Sequence, residues 1–256
     1  MAMLNMRYVF PDRLVDLNRV TELDYILPGD RGVRIGAMTR QRALERSDVI
    51  KRELPLIRKA LRHVGHFQTR NRGTIGGSLC QLDPSAELPA LATALDAIVE
   101  AVGPNGGRTI PFHEFPQMFM TSSLAPDEIL TAINLKPWAG RTGTGFHEFS
   151  RRHGDFAIGG AIALLQTDAA GRIVRASLTV FGVAERPKRV SDAEAMLVGQ
   201  RPDAALIDAA SNLCIAQATL NDVYATADYR GHVAAAMART ALAEACTELG
   251  IEVVLQ

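Results

Sequence analysis

Arg70-Asn71-Arg72-Gly73-Thr74-Ile75-Gly76-Gly77-Ser78-Leu79 is followed, after three residues, by Asp83-Pro84-Ser85-Ala86-Glu87-Leu88-Pro89-Ala90. The polar, glycine-rich part, Thr69 to Ser78, predicts a loop. Glycine lets the backbone take positive φ and lets its N–H groups come close to a ligand. Successive N–H groups turned inward make an anion-binding concavity, to which Thr74 and Ser78 add hydroxyls. Between Arg58 and Arg72 lie five Lys or Arg residues and no acid, so the surroundings are electropositive. Asp83-Pro84 predicts the start of a helix running to about Asp96, because Asp caps well and Pro suits the first helical position. Glu87 then sits near the first turn of that helix.

The pattern excludes several familiar anion sites. A Walker loop needs Lys before Ser, and position 77 is Gly. The G-x-G-x-x-G fingerprint is absent here. A G-x-S-x-G nucleophile elbow fails because Cys80 stands where glycine is needed. Taken alone, Gly-Gly-Ser is more often a plain tight turn than a ligand site.

Outward from this stretch, Leu14 to Leu17 and Val33 to Ala37 read as short strands, with a turn at Pro28-Gly29-Asp30 between them. Thr39 to Arg46 reads as a short helix with Thr39 as N-cap, and Leu54 to Val64 carries helical apolar spacing. Ile98 to Val102, Arg108 to Pro111 and Ile129 to Leu135 read as strands. Pro137 to Gly145 is rich in turn residues and marks the expected boundary between a domain at 1–139 and another at 143–250. Beyond it, strands are expected over Gly145 to Arg151, Ala157 to Gln166 and Ile173 to Ala184, with a hairpin turn at Asp168-Ala169-Ala170-Gly171. Helices follow at Asp192 to Val198, Ala204 to Ala218 and Tyr229 to Leu249. Strands followed by helices give an α+β class.

Composition narrows the function classes. The 256 residues carry 28 Lys plus Arg against 28 Asp plus Glu, which disfavours general polyanion binding. Three cysteines, none in a C-x-x-C, predict reduced thiols in a cytoplasmic protein. They are too few for the four thiolates of an iron–sulfur cluster. No long apolar run precedes the first charges, so no signal peptide is expected, and the longest apolar run, Phe156 to Leu165, is too short for a membrane span. The six histidines show no metal-ligand spacing, so no metal site is expected.

The two quoted stretches resemble the FAD-binding medium subunit of the molybdenum hydroxylases, the relatives of xanthine dehydrogenase and aerobic carbon monoxide dehydrogenase. Phe149-Ser150-Arg151-Arg152-His153-Gly154-Asp155-Phe156-Ala157 is similar to a second signature of that family. Leu14 to Asn18, Arg34 to Thr39, and Asp222-Val223-Tyr224-Ala225-Thr226-Ala227-Asp228-Tyr229-Arg230 match further pieces, so the resemblance spans essentially the whole chain. It implies a vanillyl-alcohol-oxidase-type FAD domain followed by a domain with a three-stranded sheet and helices. It implies FAD held by Thr74, Ile75, Gly76, Gly77 and Ser78, with Asp83 ordering the loop or touching the flavin. Glu87 falls beside the ribityl chain, where a carboxylate accepts hydrogen bonds from hydroxyls. Leu130 and His147 fall near the flavin ring or the adenine. No residue of the chain itself is expected to be catalytic.

The resemblance also implies partners: a large molybdopterin subunit and a small subunit with two [2Fe–2S] clusters, assembled as a dimer of heterotrimers. Electrons from the clusters reach FAD and pass on to an acceptor, while the flavin does the redox chemistry and the protein positions it. Members of the family begin with a strand and a first Gly-Gly loop. Met1 to Arg7 looks like the segment just after that loop, so part of the FAD domain is expected to be missing. Two other readings stay open: an assembly subunit without flavin, and a stand-alone flavin oxidoreductase. Asp83 as a simple N-cap and Glu87 as an acid facing the helix dipole are the plainer readings of those residues.

Overall fold

The computed structural model describes residues 4, 6–30 and 32–254. The expected family register of Met1 to Arg7 therefore lies partly outside the described residues. In the N-terminal half, β1 (Ile26–Gly29) and β2 (Gly32–Gly36) form an antiparallel pair. Five helices follow: α1 (Gln41–Arg46), α2 (Asp48–Glu53), α3 (Pro55–Leu61), α4 (Phe67–Arg72) and α5 (Ile75–Gln81). Next come α6 (Glu87–Ala94), β3 (Ile98–Gly103), β4 (Gly106–Pro111), the short pair β5 (Pro116–Met118) and β6 (Thr121–Ser122), and β7 (Ile129–Leu135). The main sheet has the order β1-β2-β7-β3-β4, all antiparallel.

The C-terminal half has β8 (Thr142–Phe149), β9 (Gly159–Thr167), β10 (Ile173–Phe181) and β11 (Lys188–Arg189), then α7 (Ser191–Leu197), α8 (Ala204–Asn212) and α9 (Ala227–Glu248). The expected three-stranded sheet is present with a two-residue fourth strand at its edge, in the order β11-β10-β9-β8. The Asp168 carboxylate shapes the β9–β10 turn, accepting from the N–H groups of Ala170 and Arg172, both at 2.9 Å. Helix α9 is capped by Thr226, whose Oγ1 accepts from Tyr229 N at 3.3 Å. Its inner face is alanine (Ala234, Ala238, Ala241 and Ala245, all fully buried), so it lies very close to β8. A Cβ on Gly143 or Gly145 would sit 1.9 or 2.0 Å from the carbonyl oxygens of Ala245 and Ala241.

Several expected boundaries move, each for a tertiary reason. Among the described residues Leu14 to Leu17 pairs with no strand, and Leu14 and Val15 are left exposed, because a strand needs a neighbouring ladder. Thr39 does not cap α1. Its hydroxyl instead accepts from Tyr25 N at 3.1 Å and donates to Tyr25 O at 2.9 Å, and Arg40 takes the cap position. Thr69 to Ser78 is not a loop. It is α4, a two-residue break at Gly73-Thr74, and α5, with Thr74 as N-cap. Asp83 does not cap α6, which starts four residues later with Ala86 at the cap.

Two buried clusters form the interior. One is the core of the N-terminal half, and it also takes in Phe146, Ile162, Leu164 and Phe181 from the C-terminal sheet. The other lies between that sheet and α7 to α9. Polar bonds pin the two halves together. Lys59 Nζ donates to Thr144 O and pairs with Glu244 and Glu248 at 2.8, 2.7 and 2.7 Å. Buried Ser177 donates to Ala94 O at 2.9 Å, and Gly182 N donates to Pro84 O at 2.8 Å.

Candidate functional site

The start of α5 is built from within. Ile75 N donates to Thr39 O at 3.0 Å and Gly76 N to Ala37 O at 2.8 Å. Gly77 N donates to Thr74 Oγ1 at 3.0 Å and Ser78 N to Thr74 O at 3.2 Å. The amides that the sequence reading turns toward an anion are thus engaged by the protein, because the segment is a capped helix and not an open loop. The two glycines differ in kind. Gly76 is buried, and a Cβ there would lie 2.6 Å from both Cβ and O of Ala37, so glycine is needed for the helix to touch that backbone. Gly77 is exposed, and a Cβ there would meet only Thr74 Oγ1, at 2.9 Å. Ile75 is a core residue; Thr74 and Ser78 are half-buried beside the bare Gly77 surface.

After α5, Leu82 takes a left-handed φ of 50° and turns the chain into Asp83-Pro84-Ser85. Asp83 Oδ1 accepts from Ser85 N at 2.9 Å, an Asx turn that orders this connection. Burial pushes the Asp83 carboxyl up, and the Ser85 N–H partly offsets that. These three residues form one wall of a cleft of about 710 Å³ between the two halves of the chain. The other walls come from Phe119, from Arg151 and Asp155 to Ile158, and from Leu220 to Asp222, Tyr224 and Arg230. Its size lies in the range of pockets that hold small molecules and cofactors.

The cleft is floored by a fixed cation and rimmed by aromatics. Arg230 is 3% exposed; its Nη1 donates to Ile158 O and Gly182 O, both at 2.7 Å, and its Nη2 to Asp222 Oδ2 at 2.6 Å. This ties the turn before α9 to the ends of β9 and β10. Burial pushes the Asp222 carboxyl up, but the Tyr224 and Ala225 N–H groups and Arg230 outweigh it and hold the group below its usual range, and the carboxylate shapes that turn. At the rim, the Arg151 guanidinium lies 4.2 Å from the Tyr224 ring centroid. Phe119, Phe156 and Tyr224 leave 49%, 66% and 63% of their surfaces exposed.

Glu87, Leu130 and His147 do not line this cleft. Leu130 is a buried core residue on β7. His147, on β8, faces α9, with Nε2 3.2 Å from Glu244 Oε2. Glu87 lies behind the cleft-lining turn, 6% exposed in the first turn of α6. Burial pushes its carboxyl up to about 8, and the charges of Glu148 and Asp83 add to that. The raised value favours the neutral acid at Glu87, offset in part by a hydrogen bond from its own backbone N–H. Among the described residues, no three His, Cys, Asp or Glu side chains gather as a metal site.

The sequence reading did not single out Phe119, Phe156, Arg151, Asn221, Tyr224 or Arg230 as site residues. The signal was available for most of them, since Phe149 to Ala157 and Asp222 to Arg230 are matched motifs that meet only in three dimensions. The residues present fit a flavin nucleotide. Gly77 leaves a patch of backbone that any side chain would cover, and the cleft joins aromatic surface to convergent polar groups.

Comparison with known proteins agrees. Residues 1–138 match the family model for the FAD binding domain in molybdopterin dehydrogenase, and residues 144–245 match the CO dehydrogenase flavoprotein C-terminal domain. The chain is 39% identical to the 6-hydroxypseudooxynicotine dehydrogenase complex subunit alpha of Paenarthrobacter nicotinovorans, over 95% of this chain and 82% of that protein. It is 35% identical to the carbon monoxide dehydrogenase medium chain of Afipia carboxidovorans, over 93% of this chain and 83% of that one. Among solved structures, carbon monoxide dehydrogenase from Hydrogenophaga pseudoflava superposes with a TM-score of 0.93 at 32% identity, covering 96% of this chain and 86% of that chain. Quinoline 2-oxidoreductase from Pseudomonas putida 86 gives 0.91 at 30% identity, covering 97% and 87%. Two family models covering most of the chain, and relatives above 30% identity along it, place this protein among the FAD-binding medium subunits of the molybdenum hydroxylases.

Proposed function

We propose that this chain receives electrons from the [2Fe–2S] clusters of a small partner subunit and passes them to an acceptor. A large molybdopterin subunit would oxidise the substrate, in a dimer of heterotrimers in the cytoplasm. FAD supplies the redox chemistry, exchanging electrons singly or in pairs; the protein supplies binding, orientation and electrostatics. The observation that carries this reading is the cleft between the halves, where the Asp83 to Ser85 turn meets both C-terminal motifs. In it, Asp83 orders the turn, Arg230 fixes the opposite wall, and Phe119, Phe156 and Tyr224 give flat apolar surface for a planar ring. Thr74, Gly77 and Ser78 offer an open approach for the rest of the cofactor. We also propose a division into domains at 1–139 and 143–250.

The test uses the complex, purified with its large and small subunits. Substrate should bleach the flavin absorbance, and flavin removal should stop transfer to the acceptor while the clusters still reduce. Unchanged transfer in the flavin-free complex overturns the reading and favours an assembly role. Turnover of an organic substrate by this chain without partners favours a stand-alone oxidoreductase.

A further inference from the structure

The charges of this chain are not spread evenly. Residues 40–72, the segment that forms α1 to α4, carry ten Lys or Arg against three Asp or Glu, while the rest of the chain carries 18 against 25. A chain of zero formal charge therefore has a cationic lobe and an acidic remainder. The four helices turn Leu44, Ile50, Leu56, Ile57, Ala60 and Leu61 into the core.

Part of the lobe's charge is used inside the protein. Arg42 and Arg70 pair with Glu45, Lys59 with Glu244 and Glu248, and Arg52 with Glu53 beside it. Arg40 donates to Arg72 O and to Asn18 Oδ1. Among the described residues, Arg46, Lys51, Arg62 and Arg72 are exposed and form no ion pair. Like charges gathered on one lobe repel one another in the free chain and gain when an anionic surface covers them.

The make-up of the lobe selects the kind of partner. Obligate interfaces are large and apolar, whereas electron-transfer encounters are small. In residues 40–72, Phe67 is the one large apolar side chain left exposed. A membrane or a nucleic acid is an extended anionic surface, which would run past the lobe and meet the acidic remainder of the chain. A small acidic protein covers the lobe and stops there. The lobe also adjoins the open backbone of α5: α4 ends at Arg72, the break at Gly73-Thr74 leads to exposed Gly77, and Arg40 forms a β-bridge with Thr74.

On the electron-transfer reading, we propose that the lobe of α1 to α4 docks an acidic one-electron carrier protein, which takes electrons from the flavin-loaded subunit. Two dockings serve one substrate oxidation. Each reduces one oxidised metal centre of the carrier by one electron, and two protons go to solvent.

The test uses the complex with its large and small subunits, with Arg46→Gln, Lys51→Gln and Arg62→Gln combined in this chain. The probes are cytochrome b5, an acidic haem protein; cytochrome c, a basic one; and a small neutral quinone. Wild-type reduction of cytochrome b5 should slow steeply as salt rises from about 0.01 to about 0.15 M. At low salt the triple variant should lose about tenfold in the second-order rate constant for cytochrome b5. Reduction of cytochrome c and of the quinone should not slow.

Equal cytochrome b5 rates in wild type and variant overturn the proposal. Equal slowing with the quinone overturns it too, because the side chains then act within the protein. A variant that fails to assemble with its partner subunits marks an assembly surface and overturns it. So does wild-type binding to phosphatidylserine vesicles or duplex DNA at about 0.15 M salt that the variant lacks. If no acceptor is reduced at all, the electron-transfer reading fails. Salt-dependent binding of oxidised cytochrome b5 to the substrate-free complex, lost in the triple variant, then still supports the docking surface, and its absence overturns that as well.

Discussion

The two adjacent glycines of α5 should fail in opposite ways. In Gly76→Ala the new Cβ starts 2.6 Å from Ala37 Cβ and O, where ordinary contact begins near 3.4 Å, so helix and strand end must separate by roughly 0.8 Å. That stretches the 2.8 Å bond from Gly76 N to Ala37 O. Overpacking of this kind costs about 1–3 kcal/mol, and the weakened bond adds about 0.5–1.5 kcal/mol. The helix gains about 1 kcal/mol from replacing glycine by alanine. The net loss is roughly 1–3 kcal/mol. At ~2–4 °C per kcal/mol for a chain of this size, the flavin-free melting temperature should drop by roughly 3–10 °C. In Gly77→Ala the Cβ starts 2.9 Å from the capping Thr74 Oγ1; a cap weakened by about 1 kcal/mol is offset by about 1 kcal/mol of helix propensity, so the flavin-free protein should melt within about 2 °C of wild type. The same methyl covers the open backbone and should weaken FAD binding at least tenfold, or ~1.4 kcal/mol. Differential scanning fluorimetry on the flavin-free proteins and fluorescence titration with FAD give both numbers. If Gly76→Ala melts like wild type, or Gly77→Ala binds FAD like wild type, the division of roles is wrong.

Other predictions follow the same logic. Gly77→Val should abolish stoichiometric flavin while leaving the far-UV circular dichroism of the fold intact; retained flavin would reduce the site to a turn. Urea melts should show stability falling from pH 4.5 to about 8. Over that range the unfolded state has released the Glu87 proton and the folded state keeps it. The loss attributable to Glu87 is at most roughly 4–5 kcal/mol, and Glu87→Gln should flatten that slope; equal slopes would show that the group is not buried as described. Arg230→Met should cost about 1–3 kcal/mol for each of the two carbonyls, Ile158 O and Gly182 O, that lose their donor, with Arg230→Lys intermediate, measured by urea midpoint. Gly145→Val should prevent soluble expression, because its Cβ would lie 2.0 Å from Ala241 O.

Much of the architecture was legible in the residues. Strand periodicity located β3, β4, β7 and the three long C-terminal strands to within a few residues. The Asp168 to Gly171 turn chemistry found its hairpin. Alternation and turn residues are local signals, read out wherever a neighbouring strand is available to pair. The motifs at 70–90 and 149–157 carried the family, because their residue types recur in fixed order along the chain.

What the tertiary structure alone decided concerns partners far apart in sequence. Glycine composition marks Gly76 and Gly77 alike; only the approach of Ala37 separates a packing glycine from an open one. Leu14 to Leu17 has a strand-like pattern and no strand to pair with, and Thr39 is a good cap that bonds Tyr25 instead. Glu87 reads as a carboxylate beside the ribityl chain, or as an acid facing the helix dipole; only the packing around α6 buries it and pushes its carboxyl up. The cleft needs the Asp83 turn, the β8–β9 connection and the turn before α9 at one place. Short-range pattern fixes what each segment is; burial and charge, which set a residue's chemistry, depend on which distant segment lies against it.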